Sequence, residues 1–256
     1  MSHSEAVTVP DLDQAIEDYK SRGYRLDMIF PADDPREALM SKHNKSMRLV
    51  RREPERQRGY NTQGEGYALA HAQASASWVE GRAGMEYRDL IPDRLGGRVI
   101  ASHIRLTEGG LVPDYVHYHK IDLQVIYCKQ GRIRVVYEDQ GDPFWLETGD
   151  LVLQPPEIRH RVLECTAGAE VIEITSPAEH ETWVEHELEL PNSVVDRERD
   201  FNGQRFFRFV ADAGPQEYRS ANEAFLADFA TLLSLVPNEF GRMRIITAFS
   251  QSLSRM

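Results

Sequence analysis

The alternation of apolar and polar positions predicts a small α/β segment at the start of the chain. Apolar residues recur at helical spacing behind Asp11 and stop before Gly23, so a short amphipathic helix is expected between them. Residues 24–30 and 46–50 alternate like strands, and a proline-bounded turn follows the first of them. We assign residues 1–53 to this segment.

The pattern changes in the middle of the chain and predicts a mainly β domain. From residue 97 to residue 175, short runs of Val, Ile, Leu and Tyr are separated by Gly, Pro and Asp, with no helical period between them. Many short strands at regular spacing indicate an antiparallel sandwich or barrel. We place this domain at residues 85–190, after a linker at residues 54–84 that is rich in Gln, Gly, Ala and charge.

Composition narrows the classes of partner. The chain of 256 residues has 30 Lys and Arg against 41 Asp and Glu, a net charge of −11 that opposes nucleic-acid binding. Seven basic residues between Lys42 and Arg58 include no aromatic residue for base stacking, so a solvated strand end and linker is expected there. No apolar run is long enough for a membrane span, and two cysteines fit a reducing cytoplasm.

Three histidines stand at spacings typical of a metal site. His117 and His119 are two residues apart on a predicted strand, so both imidazoles face the same side and can reach one ion. If the chain turns back after His119, Gln124 lies on the adjacent antiparallel strand and points to the same place. His160 opens a later strand after a tight turn, and closure of a barrel brings that hairpin beside the first.

These residues make the chain resemble a cupin. The two cupin motifs are matched at six positions: His117, His119, Gly131, Gly149, Pro155 and His160. The resemblance covers about 90 residues and implies a jelly-roll β-barrel with one divalent metal in its lumen. The chain departs from the family pattern at Gln124, where the family has glutamate, and at Glu157, where it has glycine. Smaller departures at Gly110 and Glu164 affect turns.

The resemblance implies that His117, His119, Gln124 and His160 hold one divalent transition metal. Fe(II) is favoured on the resemblance alone, and Ni, Zn, Mn or Cu also suit imidazole and amide ligands. Gln124 in place of glutamate removes one negative charge, which favours an anionic, bidentate substrate but weakens retention of the metal. A lumen without metal is the alternative.

Strand parity adds further candidates. Tyr115 shares a face with the histidine pair and is a candidate catalytic donor to a metal-bound anion; the alternative is a packed ring at the barrel mouth. Cys128 shares a face with Gln124 and is expected to be a small buried residue. His103 and Arg105 share a face of an earlier strand, and they are candidates for binding a substrate carboxylate if that face is inward.

The flanks carry weaker signals. Residues 1–53, with a helix of the form LDxAIxxY, resemble half of a vicinal oxygen chelate (glyoxalase-like) module and are interpreted as a structural or dimerising appendage. His180 and His186 have no partner at ligand spacing, so a solvated return strand is predicted there. The extension at residues 191–256, with a helix predicted at 221–236 and strands at 204–210 and 242–249, is either a truncated second cupin unit or an arm packing across a dimer partner.

Two functions follow from the resemblance. The first is a metal-dependent, dioxygenase-like enzyme acting on a small organic acid or an aromatic compound, because the predicted ligand shell leaves open positions on the metal. The second is a non-catalytic cupin that binds a small ligand for sensing or storage, and the fold alone does not choose between them. In either case we expect a small-molecule ligand in the lumen and a homodimer.

Overall fold

The computed structural model describes residues 5–52, 78–91 and 94–211. The fold is mainly β, as predicted. The chain divides into two compact units, residues 1–208 and 209–256. The predicted domain boundaries after residues 53, 84 and 190 fall within the first unit and stay predictions. The predicted helix at 221–236 and strand at 242–249 lie outside the described residues.

Seventeen strands and two α-helical segments are found in the described ranges. In chain order their bounds are β1 Glu5–Val9, α1 Leu12–Ser21, β2 Arg25–Phe30, β3 Glu37–Lys42, β4 Lys45–Arg51, β5 Val79–Glu80, β6 Glu86–Asp89, α2 Arg94–Gly97, β7 Ile100–Leu106, β8 Gly110–Leu111, β9 His117–His119, β10 Leu123–Gln130, β11 Arg132–Tyr137, β12 Phe144–Glu147, β13 Leu151–Leu153, β14 His160–Cys165, β15 Ala169–Ser176, β16 Thr182–Val184 and β17 Phe207–Phe209. Neither helix has the length and apolar character needed to cross a bilayer.

The strands form two sheets. One has ten strands in the order β1–β4–β3–β2–β16–β9–β14–β11–β12, with β8 also paired to β14. The other has seven strands in the order β17–β13–β10–β15–β7–β6–β5. An apolar core with members from both sheets, including Ile104, Val135 and Val171, holds them face to face.

The N-terminal segment is continuous with the first sheet. Its helix α1 begins at the predicted place, because the Asp11 side chain accepts a 2.9 Å hydrogen bond from the Gln14 backbone nitrogen. Strands β1 and β3 are additional to the prediction; β3 has the composition of a helix but pairs on both sides, with β2 and β4. Strand β16 then joins β2 to β9, so this segment and the histidine strand share one sheet.

The two histidine segments cross from one sheet to the other. Strand β9 pairs with β14 and β16, whereas β10 pairs with β13 and β15. The prediction that Gln124 lies on the strand adjacent to His119 is therefore wrong. The three residues between β9 and β10 carry the chain across the sandwich, so Gln124 faces the histidines from the opposite sheet.

Two turns of the motif segments have left-handed backbone. Gly131 has a φ of 70°, and a Cβ there would lie 2.6 Å from Thr166 Oγ1, so this position requires glycine. Glu157 has a φ of 59° at the place where the family pattern has glycine. Its backbone nitrogen donates to the His119 carbonyl, which holds the turn beside β9.

Candidate metal and ligand site

A cavity of about 80 Å³ lies between the two sheets. By the space that one water occupies, it holds roughly five waters or a small organic molecule. One part of its lining is aliphatic, from residues such as Ile104, Ile133 and Val171. Apart from two tyrosines, the polar side chains of the lining are Asp33, Ser102, His117, His119, Gln124, Gln154, His160, Glu173, Thr175 and His180.

The structure brings the three predicted histidines together in this cavity. His117, His119 and His160 are all buried, and one ring nitrogen of each lies within 4.8 Å of the others. Two features of the sequence produce the convergence. His117 and His119 are two apart on β9, and β14 pairs antiparallel with β9 so that His160 is directly opposite His117.

Each of the three histidines forms a hydrogen bond through its Nδ1 atom, on the side of the ring that faces away from the cluster. Nδ1 of His117 donates to the Tyr115 carbonyl at 2.8 Å, and Nδ1 of His160 donates to the Ile158 carbonyl at 2.9 Å. Nδ1 of His119 contacts Thr182 Oγ1 at 2.8 Å. A carbonyl oxygen only accepts, so in His117 and His160 the Nδ1 carries a proton and Nε2 is the nitrogen that would bind a metal. The donor set therefore fits a divalent transition metal.

Gln124 belongs to a buried polar network whose other members, Glu173, Gln154 and Tyr137, were not predicted from the sequence. Its Nε2 donates to Glu173 Oε1 at 2.5 Å, which fixes the amide with Oε1 facing the other way. That oxygen accepts from Gln154 Nε2 at 2.8 Å, and the same nitrogen lies 2.9 Å from Nε2 of His160. The Tyr137 hydroxyl donates to Gln154 Oε1 at 3.0 Å and completes the chain. Burial raises the pKa of Tyr137 well above its usual range.

Glu173 supplies the carboxylate that the predicted ligand shell lacks. It lies on β15, where Glu173 is opposite Ile126 of β10 and Ser102 of β7. The predicted loss of one negative charge from the ligand shell at Gln124 stays a prediction, and the structure adds a carboxylate on the neighbouring strand that is hydrogen-bonded to the Gln124 amide. The alternation of Val171, Glu173 and Thr175 is the only sequence signal for it.

His180 is also in the cavity, which corrects the prediction of a solvated strand for it. Its ring lies 5.2 Å from that of His119 between centroids, and the residue is 6% exposed. Burial lowers the pKa of His180 to about 4, against the opposing effect of the Asp33 carboxylate. His186 does lie at the surface, where its Nε2 is 3.2 Å from Asp27 Oδ1. The pairing of β16 with β9 places His180 inside the cavity. Its sequence spacing to the other histidines does not indicate this position.

Tyr115 and Cys128 do not line the cavity. Tyr115 precedes β9, where the chain is not yet a strand, so the parity argument fails and its ring borders a separate groove beside α1. Its contribution to the site is the carbonyl that accepts from His117. Cys128 is fully buried in the apolar core, as expected, and burial raises the pKa of its thiol to about 11.

His103 and Arg105 face away from the cavity, so the condition for their binding substrate is not met. Residues of β7 alternate, and Ser102 and Ile104 take the inner face. His103 contacts Glu170 Oε2 at 2.9 Å and Arg88 Nη2 at 2.8 Å. Arg105 pairs with Glu86 and lies over the ring of Trp78, 4.1 Å from its centroid.

The N-terminal segment closes one side of the cavity. Ala32 and Asp33, in the turn after β2, are part of the lining. Asp33 is anchored by Arg94, which is 2% exposed and also pairs with Asp89 at 2.9 Å. The Arg94 to Asp33 bond is 2.5 Å long. The resemblance of residues 1–53 to a glyoxalase-like module is untested, but their turn after β2 has a definite place at the site.

Comparison with known proteins adds similarities of fold. No protein-family model matches the chain, and no curated protein matches it. Similar solved structures include an RmlC-like cupin from Shewanella frigidimarina, at 24% identity over 44% of this chain and 93% of that one, with a TM-score of 0.37. KdgF from Halomonas sp. is 18% identical over 44% of this chain and 94% of that one, with a TM-score of 0.36.

Oxalate decarboxylase from Bacillus subtilis is a third similar structure. It is 19% identical over 37% of this chain, which spans 25% of the length of that protein, with a TM-score of 0.30. Similarity at these TM-scores is not evidence that the activities are shared. The two-sheet β fold of the described chain is established by its own strand pairing and by the two histidine segments that cross between the sheets.

Proposed function

We propose that this protein binds one divalent transition metal through His117, His119 and His160, and binds a small organic acid in the cavity beside it. The observation that carries the proposal is the convergence of three buried imidazoles with their outer nitrogens hydrogen-bonded. Three histidine ligands leave coordination positions for a further ligand, which a catalytic site requires. We further propose a dioxygenase-like oxidation as the reaction and Fe(II) as the metal.

The size and lining of the cavity limit the ligand. A volume of about 80 Å³ favours a small acid over a large aromatic compound. Its aliphatic part excludes water from one side, and its polar part is concentrated around the histidines. A bound divalent metal supplies Lewis-acid chemistry and, if it is redox-active, electron transfer.

The residues around the histidines hold a candidate ligand in position and provide a proton acceptor. Glu173 holds the Gln124 amide with its oxygen turned towards Gln154, which also contacts His160, and this oxygen is a candidate fourth ligand. Glu173 is also a carboxylate of the cavity lining that is able to accept a proton from a bound acid or alcohol. Asp114, with Oδ1 3.7 Å from Nδ1 of His117, adds negative charge behind that imidazole.

A non-catalytic binding protein is the alternative, and one observation favours it. The Gln154 amide already bridges Gln124 and His160, so this polar cluster is satisfied by protein groups alone. Such a cavity holds a small ligand without turning it over. The predicted cytoplasmic location and homodimer stay predictions, and light scattering of the purified chain tests the dimer.

Metal content and turnover of the full chain test the proposal. The wild type should retain close to one equivalent of metal after dialysis against Fe(II), Mn(II), Ni(II) or Zn(II), and His117→Ala and His160→Ala should each lose at least about tenfold in affinity. His186→Ala, a surface histidine, is the matched control and should behave like the wild type. A wild type that retains no metal would overturn the proposed metal site. If metal is retained, oxygen uptake by the loaded chain with a panel of small acids distinguishes an enzyme from a binding protein.

A further inference from the structure

Two polar side chains of the cavity have no hydrogen-bond partner among the described residues, although both are buried. Thr175 is 1% exposed, and its Oγ1 meets no donor or acceptor. His180 is 6% exposed, and neither of its ring nitrogens forms a hydrogen bond of normal geometry. The Pro177 backbone lies close enough to raise the pKa of His180, but it does not form a hydrogen bond of normal geometry with the ring. Buried polar groups are normally paired, so each of these requires an explanation.

Both groups line the same cavity as the histidine cluster, Thr175 beside Gln124 and His180 beside His119. Thr175 is opposite Gln124 on the paired strands β10 and β15, so both side chains project into the cavity from the same sheet. His180 follows β15 and stands edge-on to His119, at an interplanar angle of 90°. A ligand held at the three histidines therefore has unsatisfied donors and acceptors beside it.

The chemistry of the two groups indicates what they would bind. A threonine hydroxyl and an imidazole each offer both a donor and an acceptor. A hydroxyl group on a ligand has the same dual character and leaves no unpaired charge in a buried place, whereas a methyl group would leave both protein groups unsatisfied. The polar pair is thus suited to an alcohol.

We propose that Thr175 and His180 form a subsite for a hydroxyl group of the bound acid, so that the preferred ligands of this protein are small hydroxy acids. The inference rests on the proposed function, because it takes the carboxylate of the ligand to be held at the metal site. It adds the class of acid and two specificity-determining residues.

Binding of matched acids to the Ni(II)-loaded full chain tests the subsite. Dissociation constants are measured calorimetrically for glycolate against acetate, lactate against propionate, and malate against succinate. In the wild type the hydroxy acid of at least one pair should bind roughly tenfold more tightly or better, because binding of the analogue without the hydroxyl leaves buried groups unpaired. Thr175→Val and His180→Phe should reduce that ratio at least about threefold, and Thr175→Ser should retain it.

The variants separate the subsite from the metal, which itself prefers hydroxy acids. That preference is common to all variants, so only the part of the ratio that changes with Thr175 or His180 counts. His186→Phe is the matched control and should keep the wild-type ratio. If no acid binds to the loaded chain, the proposed function fails with the inference. If acids bind and the ratio is the same in Thr175→Val, His180→Phe and the wild type, the inference alone is overturned.

Stability without ligand or metal gives an independent readout. An unpartnered buried hydroxyl costs stability, so Thr175→Val should melt at a higher temperature than the wild type, by roughly 2–4 °C. A threonine with a purely structural hydrogen bond would give the opposite result. A lower melting temperature for Thr175→Val would therefore contradict the assignment of Thr175 as a ligand-binding group.

Discussion

Nε2 of Gln154 lies 2.8 Å from Oε1 of Gln124 and at the same time 2.9 Å from Nε2 of His160. One amide nitrogen thus faces two of the four predicted metal ligands. An imidazole Nε2 has a single lone pair, so a hydrogen bond from Gln154 and a bond to a metal exclude each other at His160. Metal binding at His160 requires Gln154 to turn away.

Replacement of Gln154 should therefore strengthen metal binding and lower the stability of the metal-free protein. Gln154→Met keeps the volume and removes the competing donor, and we expect metal affinity to rise by about two- to tenfold. The free energy of unfolding without metal should fall by about 1–3 kcal/mol, since Tyr137 and Gln124 each lose a buried partner. Calorimetric titration with Ni(II) and urea unfolding measure the two effects. Weaker metal binding would contradict the competition.

Substitutions of Gln124 test whether its oxygen binds the metal. Gln124→Leu should lower metal affinity by about tenfold, and Gln124→Glu should raise it, because a carboxylate is the better ligand for a hard cation. The Gln124→Glu protein should be destabilised without metal, because the new carboxylate would face Glu173 across a contact of 2.5 Å. Unchanged affinity in Gln124→Leu would remove this residue from the ligand set.

Arg94 should be needed for stability. Its guanidinium is buried between Asp33 and Asp89, and a substitution by leucine leaves both carboxylates without their partner. Arg94→Leu should therefore lower the free energy of unfolding by about 3 kcal/mol. Because Asp33 lines the cavity, the substitution should also weaken binding of a small acid. Chemical unfolding and calorimetry measure the two, with Arg105→Leu, an arginine at the outer face, as the control. An effect no larger than in that control would refute the anchoring role.

Backbone strain at Glu157 predicts a variant with greater stability. A left-handed conformation costs a non-glycine residue about 1 kcal/mol, so Glu157→Gly should gain up to that amount, reduced by the greater freedom of glycine in the unfolded chain. Glu157→Ala keeps the left-handed strain and is the control. Urea unfolding compares the three proteins. A Glu157→Gly protein less stable than Glu157→Ala would show that the strain is not the dominant effect.

The buried thiol of Cys128 predicts a loss of stability at alkaline pH. Burial raises its pKa from an ordinary 9.0 to about 11, so the unfolded chain releases this proton at a lower pH than the folded chain. The stabilisation is complete below the unfolded value and is lost as the pH rises through the folded one. Unfolding in urea with a reductant, at about pH 8 and about pH 10, should show a smaller decrease for Cys128→Ala than for the wild type. Equal decreases would exclude this thiol as a source.

The β fold and the shared face of His117 and His119 were predictable because both depend on short-range order. Punctuated apolar runs predict strands, and two histidines two apart on a strand face the same side wherever that strand lies. His160 was predictable from the hairpin that carries it. The position of Gln124 on the opposite sheet was not, because a three-residue connection does not reveal whether a chain turns back within a sheet or crosses between sheets.

The sequence by itself determined the strand content, the shared face of His117 and His119, and the buried state of Cys128; the pairing of β14 with β9 brought His160 to them. Only the tertiary structure decided which faces of β7 and β15 line the cavity, and hence that Arg105 is outside and Glu173 and Thr175 are inside. It also decided that His180 is buried, through the pairing of β16 with β9. The physical reason is that side-chain parity is fixed within a strand, whereas the choice of inner face depends on which strands pair and which sheet lies opposite.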